Sequence, residues 1–501
     1  AGLTHDIVWM QDAVVNGEHV LVPVLYLAQA DNRLAPNGAL IQGQDVTLIS
    51  GGDLNNAGTL RASNNLSATA ANIDNSGLVE AGNRLDLLAT GSITNTQGGI
   101  IAGRDVSLTA VTGDVINQRT VTEHQVDYRN TSTTEAFADS AARIESANNL
   151  TLNAGRDVVN AGSTLRSGGD LSIQAGRDVS ISAVEQNKGW TAGTYAYDTS
   201  TTQLGAEVSA GRDLDISAGR DLTAVASRLD AARDAALSAG RDVTLASAAD
   251  ESHSYSKSKH VISQKDHVEQ QSTELNAGGD VTIGAGQDLT LKSSKISAGN
   301  EAYLVAGGAV QVLAANDSDY SLYDKKSKGS FGQKKTRHDE VTDVKAVSSE
   351  ITSGGDLTVI SGGDQTYQAA KLNSGNDLAI VSGGAVRFEG AKDLHQESHE
   401  KSDSNLAWQS TSGKGKTDET LRQSELVAQG SVAIKAVDGL KIDIKDINQK
   451  TVSQTIDAMV QADPNLAWLK EAEARGDVDW RAVKEFHDSY SYSNSGLGQG
   501  S

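Results

Sequence analysis

The sequence predicts an all-β fold: a parallel, right-handed β-helix of about 13 coils with projecting β-hairpins and a short C-terminal α-helical segment. Three observations predict it. A Gly- and Asp-containing octet recurs along the chain, copies of it recur at a pitch of 21 residues, and polar insertions interrupt the coils at a second, longer period.

The octet reads small, Gly, any, Asp, Val/Leu, any, apolar, any. Clear copies are Ala102-Gly103-Arg104-Asp105-Val106-Ser107-Leu108, Ala175-Gly176-Arg177-Asp178-Val179-Ser180-Ile181 and Ala239-Gly240-Arg241-Asp242-Val243-Thr244-Leu245. Apolar residues alternate within it, with Val179 and Ile181 on one side and Asp178 and Ser180 on the other. That is the strand period of two rather than the helical 3.6. The expected corner residues are Gly155 and Asp157, Gly176 and Asp178, Gly211 and Asp213, and Gly240 and Asp242. Each Gly is expected to supply a positive φ, and each Asp to bond backbone N–H groups of its own corner.

The pitch fixes the stacking. Leu150 to Leu171, Val158 to Val179, Leu222 to Val243 and Leu357 to Leu378 are each 21 residues apart. A four-residue strand with one apolar side gains stability only when stacked on its copy, so the unit is a coil. At about 4.8 Å per coil the rod is on the order of 60 Å long. Residues 39–117 form looser coils with Asn-rich corners, Asn55-Asn56-Ala57-Gly58 and Asp74-Asn75-Ser76-Gly77. Asn tolerates left-handed φ and ladders with its copy in the next coil.

Within 118–446 each pair of coils is followed by a polar excursion, at roughly 118–143, 184–207, 248–274, 315–350 and 391–426; the starts lie 66, 64, 67 and 76 residues apart. Alternation around a Gly-containing tip, as in Trp190 to Tyr197, reads as a long β-hairpin. Gly329-Ser330-Phe331-Gly332 and Gly413-Lys414-Gly415-Lys416 read as turns between arms. The regular spacing places the arms on one side of the rod or along a gentle spiral.

Residues 1–38 are a lead-in, and 447–501 change character. Thr451 to Val460 fits a helix. Asp463-Pro464 is an N-cap and N1 pair opening Asn465 to Arg475, with Gly476 as the stop. A third helix fits Asp479 to Asp488. The chain opens without a basic n-region and apolar h-region, and reads as a piece of a longer protein.

Composition excludes several functions. The chain has 501 residues, 50 Gly, 3 Pro, no Cys and a formal charge of −22. Nucleic acid is not an expected partner, because phosphate binding needs a clustered cationic face. Without Cys there are no disulfides, thiolate catalysis or Cys-ligated zinc. A calcium-binding β-roll needs paired Asp-bearing turns, whereas here Arg often precedes the Asp, as in Arg156-Asp157 and Arg220-Asp221. His395 and His399 sit at i, i+4 in a polar excursion and read as a solvated run rather than a metal site; His253, His260 and His267 suggest no ligand geometry. Asp477, Asp479, Glu485, His487 and Asp488 read as a helix surface. No catalytic residue, metal or cofactor is expected.

The Ala-Gly-Arg-Asp-Val octets with Ser/Lys-rich excursions resemble the haemagglutinin repeats of filamentous-haemagglutinin-like exoproteins of two-partner secretion systems, over about 40–445. Asp6-Ile7-Val8-Trp9 with Val20 to Leu27, and Asn465 to Leu469 with Val478-Asp479-Trp480, are similar to the flanks of these repeats in contact-dependent growth-inhibition effectors of the CdiA type, the latter to the pretoxin lead-in. The resemblance implies a secreted, non-enzymatic surface rod of a Gram-negative bacterium, part of it held in the periplasm before delivery. It implies as partners an outer-membrane secretion transporter, through a region absent here, a target-cell outer membrane or receptor, and a C-terminal toxin domain beyond this chain. Trp190, Tyr195, Tyr197, Tyr320, Tyr323 and Trp408 are candidate membrane or partner contacts. Lys325, Lys326, Lys328, Lys334, Lys335 and Arg337 form a basic cluster suited to sulphated sugars. The alternatives are an adhesin for host glycans or receptors, and a passive spacer.

Overall fold

The structure, a computed structural model, describes residues 7–15, 18–26, 38–329, 332–404 and 408–437. The helices expected within 447–501 lie outside the described residues, as do Asp477, Asp479, Glu485, His487 and Asp488.

Three parallel sheets of 13, 13 and 12 strands form the walls of a β-helix. Each coil contributes one strand to each wall, as in Arg143–Ser146, Leu150–Ala154 and Val158–Ala161. The 21-residue pitch is the coil: Leu150 lies opposite Leu171, Val158 opposite Val179, Leu222 opposite Val243 and Leu357 opposite Leu378. These side chains point inward and are buried. Apolar columns of Leu, Ile, Val and Ala therefore run the length of the rod. The core is thin because each coil admits only two or so inward side chains per wall, which is why 38% hydrophobic residues suffice.

The corners work differently from the sequence expectation. Gly155, Gly176, Gly211 and Gly240 are not among the positive-φ glycines. They are required because the coils approach too closely for a side chain. A Cβ on Gly176 would lie 2.2 Å from the carbonyl oxygen of Gly155, and one on Gly240 would lie 2.2 Å from that of Gly219. Nor does the corner Asp bond its own corner. Its Oδ1 accepts the backbone N–H of the residue one coil on: Asp178 donates to Asp157 at 3.0 Å, and Asp242 to Asp221 at 3.2 Å. The preceding Arg reaches back to the Asp one coil earlier, as in Arg220–Asp178 and Arg241–Asp221, both 2.8 Å. That guanidinium holds the Asp178 carboxyl below the usual carboxylate range. Gly, Arg and Asp are thus three axial contacts between successive coils.

The early Asn corners do form a ladder. Asn56, Asn75, Asn95, Asn117 and Asn160 are buried, each Nδ2 donating to the next Oδ1 at 2.8–3.0 Å. None has positive φ. Left-handed backbone appears instead at Gly162, Ala226, Ser293 and Ala369. These four occupy the corner between the third and first walls in the middle of each coil pair, where the chain turns directly. At the equivalent corner after each pair, a hairpin leaves.

Candidate functional site

Five hairpins leave this one corner. They are Val121–Tyr128 with Thr131–Ala138, Val184–Ala192 with Ala196–Leu204, Ala248–Lys257 with Val261–Gln271, Ala315–Lys328 with Lys334–Val347, and Ala391–Ser404 with Gln409–Arg422. They are not separate spurs. All ten strands join in one antiparallel sheet in chain order, and the first and last strands do not pair with each other. The sheet is open and stands off the rod. Gly413 to Lys416, expected as a turn, lie within the final strand instead.

Pairing between neighbouring hairpins is concentrated away from the rod. Ala196 to Thr201 pair with Ser256 to Glu251, while the returning strand continues to Leu204. At the roots a carboxylate takes over from the ladder. Asp250, Asp317 and Asp393 accept backbone N–H groups of Gln203, Gln270 and Ala346 at 2.6, 2.6 and 2.8 Å. The third residue of a hairpin thus clamps the returning strand of the one before. Tips are joined as well: Gly193 donates to the Asn130 carbonyl, and Lys326 to that of His260, both at 2.8 Å.

Side chains in register across the sheet share a face. Trp190 and Tyr323 lie on one face, while Tyr197 and Tyr320 lie on the other. Tyr197 stacks on Tyr255 with ring centroids 5.5 Å apart. Tyr195 is at the second tip, and Trp408 borders the fifth. The candidate aromatics therefore form no single apolar face or girdle, and both faces are dominated by Ser, Thr, Asp, Glu and Lys.

His395 and His399, read from sequence as a solvated run, and His253 and His267, which suggested no ligand geometry, are pairing groups in the sheet. Four face an Asp directly across the ladder: His253–Asp266 at 2.7 Å, His399–Asp339 at 2.6 Å, His267–Asp319 and His395–Asp343. His267, Asp319, Asp343 and His395 follow one another across four strands, two carboxylates side by side between two imidazoles. Hydrogen bonds to these carboxylates raise the pKa of His253, His267 and His395 above its ordinary value. His395 and His399 sit on one strand, each bonded to its own Asp, rather than on a helical turn. Among the described residues no His, Cys, Asp or Glu group is arranged to hold a metal ion. Nothing in the sequence marks these pairs, whereas the root clamps carried a positional signal. Asp250, Asp317 and Asp393 recur at the spacing of the super-repeat, 67 and 76 residues.

Of the basic cluster, Lys325, Lys335 and Arg337 share one face, and Lys326, Lys328 and Lys334 take the other. Lys401, from the next hairpin, lies opposite Arg337 and joins the first set.

Two family profiles match the chain, both described as haemagglutinin repeat. One matches residues 191–264, 254–338 and 329–424, the other 27–97, 61–154 and 121–189. The chain is 33% identical over 379 residues to "Deoxyribonuclease CdiA" of Dickeya dadantii, covering 72% of this chain and 11% of that protein. It is 32% identical over 371 residues to "16S rRNA endonuclease CdiA" of Enterobacter cloacae, with the same coverage, and 31% over 386 residues to "tRNA nuclease CdiA" of Escherichia coli, covering 74% and 12%. The chain thus spans about a tenth of the length of the curated relatives it matches. No solved structure matches. With its octets as coil corners and its excursions as one lateral sheet, the chain belongs to the filamentous-haemagglutinin-like exoproteins, as a haemagglutinin-repeat region of the CdiA type.

Proposed function

We propose that the chain is the non-enzymatic rod of a secreted exoprotein on a Gram-negative cell surface. Its lateral sheet engages the outer membrane of a target cell during contact-dependent delivery of a toxin carried elsewhere in the polypeptide. Export through an outer-membrane two-partner transporter is the route the same reading implies. The observation that carries it is the fusion of five hairpins into one ten-stranded sheet with two open edges. A passive spacer requires only the rod. Fourteen-residue hairpin strands, clamped root by root, are instead a second structure built on the rod.

The chemistry restricts how the sheet acts. Polar side chains on both faces make unassisted entry into hydrocarbon unfavourable, since each unpaired polar group costs several kcal/mol there. The free N–H and C=O groups of the edge strands suit backbone pairing with a strand of another protein. The sheet therefore works at the headgroup level or with a protein in the target membrane. The relatives' nuclease names describe those whole proteins, and near-identical coils single out no acid–base pair for catalysis here.

The test replaces the second or fifth hairpin, within 184–207 or 391–426, by the direct corner Ala161-Gly162-Ser163 in the full-length exoprotein. Secretion and attachment should be retained and growth inhibition of target cells lost. Unchanged inhibition would refute the role of the sheet.

A further inference from the structure

Near the outer end of the fourth and fifth hairpins, one face of the sheet carries three cations in a row. Lys325 lies opposite Arg337, and Arg337 opposite Lys401. Like charges directly opposite on neighbouring strands destabilise a sheet. Lys328 also faces Lys334, and Asp319 faces Asp343 between two imidazoles, but here the row of like charge crosses three strands, and among the described residues Lys325, Lys335 and Lys401 form no ion pair. Only Arg337 is tied, its Nε donating to Asp339 at 2.6 Å while its guanidinium carbon lies 5.5 Å from the centre of the Tyr323 ring. That contact holds the guanidinium in a fixed orientation, a bidentate fork suited to an oxyanion. Ser327, Ser410 and Ser412 line the same groove of about 420 Å³, with Lys335 and one carboxylate, Asp403, at its outer end.

We propose that this groove binds the phosphorylated sugar headgroup of a glycolipid. The cationic row is too short to track a polymer backbone, and among the described residues no aromatic platform for bases lines the groove. Hydroxyls between the cations suit sugar hydroxyls, while the cations suit phosphomonoesters. Lys325 is ten residues out from the hairpin root at Ala315, about 30 Å at strand rise, so the groove meets a facing membrane before the rod does. The proposal deepens the delivery reading by naming what the sheet touches. It is tested by binding alone, so that failure of one is distinguishable from failure of the other.

The probe is diphosphorylated lipid A in phosphatidylcholine vesicles, with dephosphorylated lipid A vesicles and heparin as comparisons, measured by co-sedimentation and surface plasmon resonance on the intact chain. Binding should require the phosphates and weaken with salt. The double variant Lys325→Glu/Lys401→Glu should lose at least tenfold in affinity. Lys328→Glu/Lys334→Glu makes the same change of charge on the opposite face and should bind as the native chain does. Equal loss from both variants, binding indifferent to the phosphates, or tighter binding to heparin would each overturn the proposal. If growth inhibition survives the groove variant while vesicle binding is lost, the groove stands and its part in delivery falls.

Discussion

The buried Asn ladder gives a prediction whose size follows from the geometry. Asn95 is fully buried. Its Nδ2 donates to Asn117 Oδ1, the Gly99 carbonyl and the Arg143 carbonyl at 3.0, 2.9 and 3.1 Å, and its Oδ1 accepts from Asn75 at 2.9 Å. In Asn95→Ala, Asn75 keeps the Gly77 and Ile100 carbonyls, and Gly99 keeps the Arg143 N–H. Asn117 Oδ1 loses its donor inside the core. One orphaned acceptor costs about 1–3 kcal/mol and each net hydrogen bond lost about 1 kcal/mol. With a small cavity added, local stability should fall by about 3–5 kcal/mol. Asn160→Ala, at the ladder's end with a single carbonyl acceptor for its Nδ2, Glu207 at 3.1 Å, should cost less. Because coils couple chiefly to their neighbours, the assay is hydrogen exchange resolved by segment. Amides in 93–118 should lose protection and those beyond 207 should keep it. A fall below about 1 kcal/mol, or one spread evenly along the rod, would show that the ladder contributes no local stability.

Three further outcomes are expected. Gly176→Ala places a methyl 2.2 Å from a backbone carbonyl and should destabilise its coils by well over the ~1 kcal/mol of a Gly→Ala strain at a tip. At Gly193, with φ +51 and nothing nearer than 3.5 Å, the change should be mild; proteolysis rates at the two sites compare them. Hydrogen bonds to Asp319 and Asp343 raise the pKa of His267 and His395, so their stabilisation is complete below the unfolded value of about 6.5 and fades as pH rises through the higher folded values. Exchange of amides in 318–344 should therefore quicken as pH is raised from 6.5, beyond the intrinsic rate, and His267→Gln/His395→Gln should abolish that extra dependence. Duplicating residues 289–309 adds one coil between the third and fourth hairpins. It should unpair Val261 to Val268 from Ser318 to Lys325, detected as lost protection there with the rod intact.

The sequence shows the rod and hides the sheet, for a physical reason. Coil stacking repeats the same residue types at one spacing, so Val158 over Val179 is visible as a period. Hairpin pairing joins unlike residues, such as Lys265 with Ser321 or His267 with Asp319, 52 and more positions apart and with no repeated letter to mark them. Which face a side chain takes depends on that register. The partition of Tyr197 from Trp190, and of Lys326 from Lys325, was therefore beyond reach, and so was the arrival of Lys401 beside Arg337. The corner glycines were visible as recurrent letters of the octet, but their cause was not. Positive φ and close axial approach both select Gly, and only coordinates separate them.

The two periods are related by geometry. A coil advances the rod by about 4.8 Å, and a strand widens a sheet by the same amount, so two coils span the width of one two-stranded hairpin. A hairpin after every coil would need twice the room available. One after every three would leave a gap a strand wide, with unpaired N–H and C=O groups on both sides. Insertion after every second coil is the one frequency at which lateral hairpins rooted at a single corner close into a continuous sheet. The direct corners at Gly162, Ala226, Ser293 and Ala369, each with left-handed backbone, are the counterpart of that constraint. They accept local strain so that the chain skips an excursion on alternate turns. Ala226, Ser293 and Ala369 carry that conformation without glycine's freedom. The intervening coil, stacked by its own axial contacts, thus supplies the spacing that the sheet requires, which joins rod and sheet into one mechanical unit.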